Sequence, residues 1–218
     1  MNVPEFDILA KSFNENNFRL FMIGGTSRDF LLGEEIYDFD FVTDATPEEM
    51  KKFLPELDTT FAKYGSCKIK INNKKVDLTT LREEGKYNDS RHPSYIKFVK
   101  DINLDYKRRD FTINAIYIDE SYNVIDPSNG LIDLKNKLIR MIGDPNLRIK
   151  EDPLRIIRAE RFSKIYGFTI DKNLEEVINS NRDLLNELNE EKILEENRKL
   201  EKSLERKKYE TISSSRRL

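Results

Sequence analysis

Two carboxylates two positions apart are the residues of this sequence best suited to do chemistry. Asp38 and Asp40 follow the pair Gly24-Gly25 by about a dozen residues. In an extended strand residues i and i+2 point to the same face, so these two side chains would converge. Convergent carboxylates supply the oxygen ligands that Mg²⁺ shares with phosphates. A solvated acidic strand without a metal is the plainer alternative.

The segment before these acids predicts a phosphate-binding turn. Residues 18–23 have the pattern of a buried strand that ends at Gly24-Gly25, and residues 26–32 indicate a short helix with Arg28. Glycines allow the backbone to approach an anion, and the N–H groups of a helix N-terminus point toward it. A Gly-Gly pair alone is most often only a turn. The order of strand, glycines, helix and acidic strand favours the phosphate site.

At this point the sequence resembles the nucleotidyltransferase superfamily that includes DNA polymerase β, and specifically the tRNA nucleotidyltransferase and poly(A) polymerase group with the class II CCA-adding enzymes. Its motifs stand here as Gly-Gly-x-x-Arg-Asp at 24–29 and Asp-x-Asp at 38–40. The resemblance implies an α+β fold: a nucleotidyltransferase head with a mixed β-sheet flanked by helices, then an α-helical neck. It also implies that Gly24, Gly25 and Arg28 hold phosphates and that Asp38 and Asp40 hold two Mg²⁺ ions.

Size and composition bound the class of protein. The 218 residues allow one core or two small ones, and 38 Lys plus Arg against 40 Asp plus Glu leave a net charge of −2. A nucleic-acid partner would therefore need a local basic patch, for which residues 140–164 are the candidate. A solvated helix face explains the same charges.

Cysteine and histidine usage excludes several kinds of site. Cys67 is the single cysteine and His92 the single histidine, which rules out an internal disulfide and a cysteine- or histidine-based zinc site. The N-terminus lacks the apolar run of a signal peptide, and no segment reaches transmembrane length. We expect a soluble, cytoplasmic protein with no membrane partner.

A hairpin and a loop are predicted after the acidic strand. Thr46 is expected to cap a helix that begins at Pro47, and residues 67–71 and 76–81 read as two strands joined at Asn72-Asn73. Asp77 on the second strand is either a third catalytic carboxylate or an outward-facing polar residue. Residues 82–95 lack an apolar period and predict a mobile loop. The resemblance places here a family loop implicated in the switch from adding C to adding A.

The second family motif is Arg-Arg-Asp-Phe-Thr-x-Asn-Ala at 108–115, after a predicted strand at 96–99. Without the resemblance, its charges would be read as a surface ion pair. The resemblance implies that Arg109 meets the triphosphate while Asp110 and Asn114 orient the ribose; Arg108 is left as a structural or RNA-side cation. Residues 126–134 predict a turn and helix leading to a strand at 139–142. Residues 1–143 would then form the head and 144–218 the neck.

The neck opens with the predicted base-reading helix, residues 151–162. Its polar side repeats every three residues: Asp152, Arg155, Arg158, Arg161. This spacing also fits an intrahelical salt bridge. The motif Glu-Asp-x-x-Arg resembles the family's protein template for the incoming base. Cytosine and adenine both present an amino donor beside a ring-nitrogen acceptor, so one carboxylate and one guanidinium serve both.

The implied activity is template-independent addition of CCA, from CTP and ATP, to the 3′ end of tRNA by two-metal nucleotidyl transfer. Alternatives are a poly(A) polymerase, a partial A-adding or CC-adding enzyme, and, in another class, a non-catalytic RNA-binding module. The resemblance covers residues 18–170, and we expect the chain to lack the family's helical body and tail domains. The polar residues after 175 predict a solvated or frayed helix, or a homodimer contact. We expect weak tRNA affinity from the chain alone.

Overall fold

The computed structural model describes residues 2–85 and 94–215, with side chains through Tyr209. The predicted loop at 82–95 therefore falls largely on residues 86–93, outside the described residues. The helices are α1 Pro4–Glu15, α2 Gly24–Leu32, α3 Pro47–Phe53, α4 Ile102–Asp105, α5 Gly130–Lys135, α6 Pro145–Glu151, α7 Leu154–Tyr166, α8 Lys172–Ser180 and α9 Glu190–Ser215. The strands are β1 Leu20–Met22, β2 Phe39–Thr43, β3 Ser66–Ile71, β4 Lys74–Thr80, β5 Arg82–Glu84, β6 Ile96–Phe98, β7 Tyr117–Ile118, β8 Val124–Ile125, β9 Leu138–Ile139 and β10 Thr169–Ile170.

The main sheet has the strand order β3-β4-β2-β1-β7-β8 in the described part of the chain. Strands β2 and β4 pair in parallel, while the remaining neighbours are antiparallel. This confirms the predicted mixed sheet flanked by helices. It also confirms the hairpin, because β3 and β4 pair directly across Asn72-Asn73, whose φ values of 51° and 63° suit a tight turn.

One core supports the acidic strand from behind. Phe39 and Phe41 are buried on the face of β2 opposite Asp40, and Phe6 of α1 packs edge-on against Phe41 with ring centroids 5.1 Å apart. The predicted cap of α3 is confirmed as a capping box, in which the Thr46 hydroxyl accepts from Glu49 N–H and the Glu49 carboxylate accepts from Thr46 N–H. These local features fix where β2 begins and ends.

Three sequence-based boundaries were wrong. The predicted loop at 82–95 begins with a strand, because β5 pairs with β6. The predicted strand at 139–142 is shorter and shifted to Leu138–Ile139, and Met141 instead forms a bridge with Phe111. The single helix predicted at 151–162 is divided: α6 ends at Glu151 and α7 starts at Leu154. A residue before proline disfavours helical backbone, and Asp152 before Pro153 is extended, with φ −151° and ψ 95°.

A second core crosses the predicted boundary at residue 143. It joins Phe111 and Ile139 with Ile156 and Phe162 of α7 and with Leu174 of α8. Strand β10 also pairs in parallel with β9. The division into head and neck stays a prediction, and the two parts share apolar side chains on both sides of it. Among the described residues, none of the helices has the length and apolar content to cross a membrane.

Candidate active site

All predicted site residues line one cavity of about 980 Å³. They come from the turn after β1, from β2 and β4, from the segment before β7 and from the start of α7. The set is Gly24, Gly25, Arg28, Asp38, Asp40, Asp77, Arg109, Asp110, Asn114, Asp152, Arg155, Arg158 and Arg161. The fold thus brings together residues separated by more than a hundred positions.

Three carboxylates, those of Asp38, Asp40 and Asp77, line the cavity. Asp40 lies directly beside Asp77 in the parallel register of β2 and β4, and Asp38 precedes β2 at an exposed position. The Asp77 carboxylate also lies 3.6 Å from the Lys68 ammonium. The register places Asp77 where the sequence allowed a third carboxylate; its catalytic role stays a prediction.

Gly24 makes room for Asp40. Its φ is +63°, a left-handed conformation that favours glycine, and a Cβ there would lie 3.3 Å from Asp40 Oδ2. Helix α2 starts at this residue, so its first backbone N–H groups open beside the carboxylate. The predicted juxtaposition of glycine turn and acids is therefore present.

Asp40 is held in an environment that opposes its negative charge. Burial and the neighbouring charges of Asp77 and Asp38 raise its pKa from 3.8 to about 6, although Arg109 and Arg28 act in the opposite direction. A cation would relieve this repulsion. Among the described residues, no group of three or more His, Cys, Asp or Glu side chains is arranged to hold a metal ion. Magnesium ordinarily takes one or two carboxylates and completes its shell with water and substrate phosphates, so this donor set fits it.

Thr26 links the acidic strand to the glycine turn, a role the sequence did not suggest. Its hydroxyl accepts from Asp40 N–H at 2.7 Å and donates to the Asp38 carbonyl at 3.0 Å. The residue is fully buried. One side chain therefore fixes the backbone of Asp38 and Asp40 relative to α2.

Arg28, Asn114, Asp110 and Arg158 form a continuous hydrogen-bonded chain. Arg28 donates to Asn114 Oδ1 at 2.6 Å, Asn114 Nδ2 donates to Asp110 Oδ1 at 3.2 Å, and Arg158 donates to Asp110 Oδ2 at 2.5 and 2.8 Å. Burial alone would raise the pKa of Asp110, but Arg158 holds it well below its usual range. These groups are fixed by one another, and their contacts with phosphate or ribose stay predictions.

Arg109 is held by a buried acid that sequence reasoning missed. Asp105 is fully buried and lies 2.8 Å from Arg109 and 2.9 Å from Arg108, while the Tyr117 hydroxyl donates to it at 2.6 Å. Burial would raise the pKa of Asp105, but the two arginines keep it well below its usual range. The spacings i,i+3 and i,i+4 were the available sequence signal. Arg108 also reaches Glu84, at 3.6 Å, which supports its structural interpretation.

The predicted base-reading pair lies at the junction of α6 and α7. Asp152 Oδ1 accepts from Leu154 N–H at 3.2 Å, and both Asp152 and Arg155 line the cavity. Arg155 is buried; it donates to the Arg148 carbonyl and lies 3.4 Å from Glu151. The sequence suggested that the two residues share one helix. In the structure they lie on either side of a bend between α6 and α7.

Helix α9 forms a further wall of the cavity, whereas the sequence predicted a solvated or frayed helix. It packs against α7, and its buried Glu196 lies 2.8 Å from Arg161 and 3.9 Å from Arg158. Its cavity-lining residues are Lys199, Lys202, Ser203, Arg206 and Lys207. No sequence signal pairs Glu196 with arginines 35 and 38 positions earlier, because the contact exists only once the two helices pack.

Residues 20–140 match the family described as the poly A polymerase head domain, which is more than half of the chain. The chain belongs to this family. The match confirms the resemblance stated from the motifs. It spans the glycine turn, the three carboxylates and the second motif of the head domain, and it ends before the base-reading pair.

Relatives of this head domain extend the similarity beyond residue 140. A CCA-adding enzyme of Lactobacillus helveticus is 37% identical over 188 residues, covering 86% of this chain and 47% of the relative. One from Listeria monocytogenes is 40% identical over 177 residues, covering 81% and 45%. The Bacillus stearothermophilus CCA-adding enzyme in complex with CTP superposes with a TM-score of 0.83 at 32% identity, over 92% of this chain and 49% of that one. The chain thus spans about half the length of these relatives.

Proposed function

We propose that this chain carries the nucleotidyl-transfer and base-selecting site of a tRNA nucleotidyltransferase that adds CCA to the 3′ end of tRNA. The observation that carries the proposal is the convergence of the three carboxylates, the glycine turn and the Asp152/Arg155 pair in one cavity. The similar enzymes named above are CCA-adding enzymes, and one of them was solved with CTP. A Thermotoga maritima relative with a TM-score of 0.70 was solved with tRNA.

The carboxylates define where transfer takes place. Asp38 and Asp40, with Asp77 beside them, would hold two Mg²⁺ ions, which supply charge neutralisation and a lowered pKa of the attacking 3′-hydroxyl when bound. The glycine turn presents backbone N–H groups to the triphosphate. Thr26 fixes the position of the two carboxylate residues relative to the glycine turn, because its hydroxyl bonds to the Asp38 carbonyl and to Asp40 N–H.

Base selection is assigned to Asp152 and Arg155. Cytosine and adenine offer a donor to the carboxylate and an acceptor to the guanidinium, whereas uracil and guanine present the reverse pattern. With uracil or guanine, the Asp152 carboxylate would face a carbonyl and the Arg155 guanidinium would face a ring N–H. Leaving a partly buried charge against such a group costs more free energy than the loss of a contact. The pair would therefore accept CTP and ATP and reject UTP and GTP without a nucleic-acid template.

The second candidate is a poly(A) polymerase, because the matching family is described by that name. The two are separated by incubation with tRNA ending at the discriminator base, with each of the four triphosphates supplied singly and then together, and with products resolved to one nucleotide. CCA addition predicts two C residues from CTP alone and a terminal A only when ATP is also present. Long A tracts from ATP alone would favour the polymerase.

A variant tests whether the reaction occurs at this site. Asp38→Asn keeps the side-chain volume and removes a metal ligand, so we expect turnover to fall by about 10³-fold or more, the scale of losing a metal-centred step. Asp58→Asn removes an exposed acid outside the cavity and serves as the matched control. Magnesium-dependent turnover that survives in the Asp38 variant would place the chemistry elsewhere. We also propose a cytoplasmic location, which the single cysteine predicted.

A further inference from the structure

An exposed aromatic patch borders the cavity just before β3. It consists of Phe61 and Tyr64, which line the cavity, and Phe98, whose ring lies over Gly65. Their exposed fractions are 53%, 36% and 36%. None of the roles assigned above to phosphate, ribose or base involves these rings, yet Phe61 and Tyr64 share a cavity with the carboxylates.

The backbone beneath the patch is fixed. Gly65 N–H donates to the Ala62 carbonyl at 2.7 Å, Thr80 N–H donates to the Gly65 carbonyl at 2.8 Å, and Arg82 donates to the Tyr64 carbonyl. A Cβ at Gly65 would lie 2.8 Å from the Phe98 ring. The rings are therefore presented by a hydrogen-bonded turn, so little conformational freedom is lost when a ligand covers them.

The order of the strands places the patch on the acceptor side of the reaction. The glycine turn follows β1, Asp40 lies on β2, Asp77 lies on β4, and the patch immediately precedes β3. The carboxylates thus separate the glycine turn from the aromatic rings. In nucleotidyl transfer the attacking and leaving oxygens are roughly in line, so a pyrophosphate held at the glycines requires the attacking hydroxyl to arrive from the opposite side.

We propose that Phe61 and Tyr64 form a stacking platform for the unpaired bases at the 3′ end of the tRNA acceptor. This inference rests on the proposed function. Single-stranded RNA is recognised largely by bases stacked on aromatic rings, with cations beside them for the backbone. Lys63 is exposed and its ammonium lies 4.7 Å from the Tyr64 ring centre, which supplies such a cation. The patch would hold the terminal nucleotide so that its 3′-hydroxyl reaches the carboxylates.

Binding without turnover tests the platform. A tRNA with 2-aminopurine as its 3′-terminal base is titrated with the full chain and Mg²⁺ in the absence of triphosphate, because stacking quenches this base. The double variant Phe61→Ala/Tyr64→Ala should lose the quenching and bind this tRNA about tenfold more weakly, the scale of one lost base–aromatic stack. Phe61→Trp should keep both. Tyr209→Ala removes a 73% exposed ring outside the cavity and should match the wild type.

Two further measurements make the result decisive. The affinity for CTP, measured on the same preparations, should stay within about twofold of wild type, since no base-reading residue is altered and a folded site is required for it. Unchanged quenching and RNA affinity in the double variant would overturn the platform. Failure of the proposed function looks different: the wild type would bind the labelled tRNA with quenching but incorporate no CMP.

Discussion

At the scale of single residues, Thr26 shows how a site depends on groups that touch no substrate. The Asp40 N–H is half-buried and donates to the hydroxyl of Thr26, which is fully buried. Without that hydroxyl, the N–H has an unmet hydrogen bond, and the Asp38 carbonyl loses a donor. The carboxylates would then be free to shift relative to the glycine turn.

Thr26→Val should therefore destabilise the protein by about 1–3 kcal/mol, the cost of leaving a buried polar group unpaired. We also expect a weaker affinity for Mg²⁺, measured by isothermal titration alongside urea unfolding. Thr26→Ser retains the hydroxyl and should restore most of both quantities. Equal behaviour of the valine and serine variants would mean that the hydroxyl has no part in fixing the carboxylates.

The pKa of Asp40 gives a second residue-scale prediction. The unfolded chain releases this proton near pH 3.8 and the folded, metal-free protein near pH 6, so this group's contribution to the free energy of unfolding falls as pH rises between those values. Asp77→Asn removes one of the charges that raise the pKa. The Asp40 pKa, followed by carboxyl ¹³C NMR, should then move down but stay above 3.8, because burial remains.

Asp58→Asn is the control for that titration, since Asp58 lies outside the cavity. An Asp40 pKa unaffected by either substitution would assign the shift to burial and the Asp38 charge. It would also remove the electrostatic argument that Asp77 belongs to the carboxylate cluster.

At the scale of elements, α9 decides how the arginines of α7 are held. Arg158 and Arg161 lie one turn apart, and the charge of Arg158 is among the causes that lower the pKa of Arg161, after burial. Glu196 is buried between them and also lies 2.9 Å from Lys199. Glu196 is therefore the α9 acid that pairs with Arg161 and Lys199, while Arg158 is held mainly by Asp110.

Glu196→Gln keeps the shape and removes the charge, so Arg161 should lose its ion pair and leave its position, while Asp110 still holds Arg158. We expect the Kd for CTP to rise about tenfold, equivalent to about 1.4 kcal/mol. Glu195→Gln is the matched control, because Glu195 is a neighbouring, exposed acid that pairs with Lys192 and Lys199. A lower melting temperature with unchanged CTP affinity would limit Glu196 to a structural role.

At the scale of the whole molecule, the second core couples the two predicted domains. Leu174 of α8 is fully buried in the same cluster as Phe111 and Ile139 of the predicted head. Leu174→Ala should destabilise the chain by about 2–5 kcal/mol through the cavity it leaves. Hydrogen exchange should then accelerate around Phe111 and Ile139 as well as in α8. Acceleration confined to residues 144–215 would show that the head and neck unfold independently.

Much of the fold was accessible from local sequence patterns. The hairpin follows from alternating residues around Asn72-Asn73, and the cap of α3 follows from Thr46 and Glu49 three positions apart. The division between α6 and α7 also had a local signal in Pro153, which was interpreted as part of a first helical turn. The shortened β9 had none, because its extent is set by its pairing with β10, about thirty residues later.

Local patterns in the chain were enough to pick out the residue types of the candidate site: two acids at strand spacing, a glycine turn before them and a carboxylate–guanidinium pair further along. How those groups are held follows from the packing of distant segments. Asp77 meets Asp40 through strand register, Thr26 joins turn to strand, and Glu196 reaches the arginines when α9 packs on α7. Spacing along the chain carries information over a few residues, whereas these contacts depend on how distant segments pack and pair.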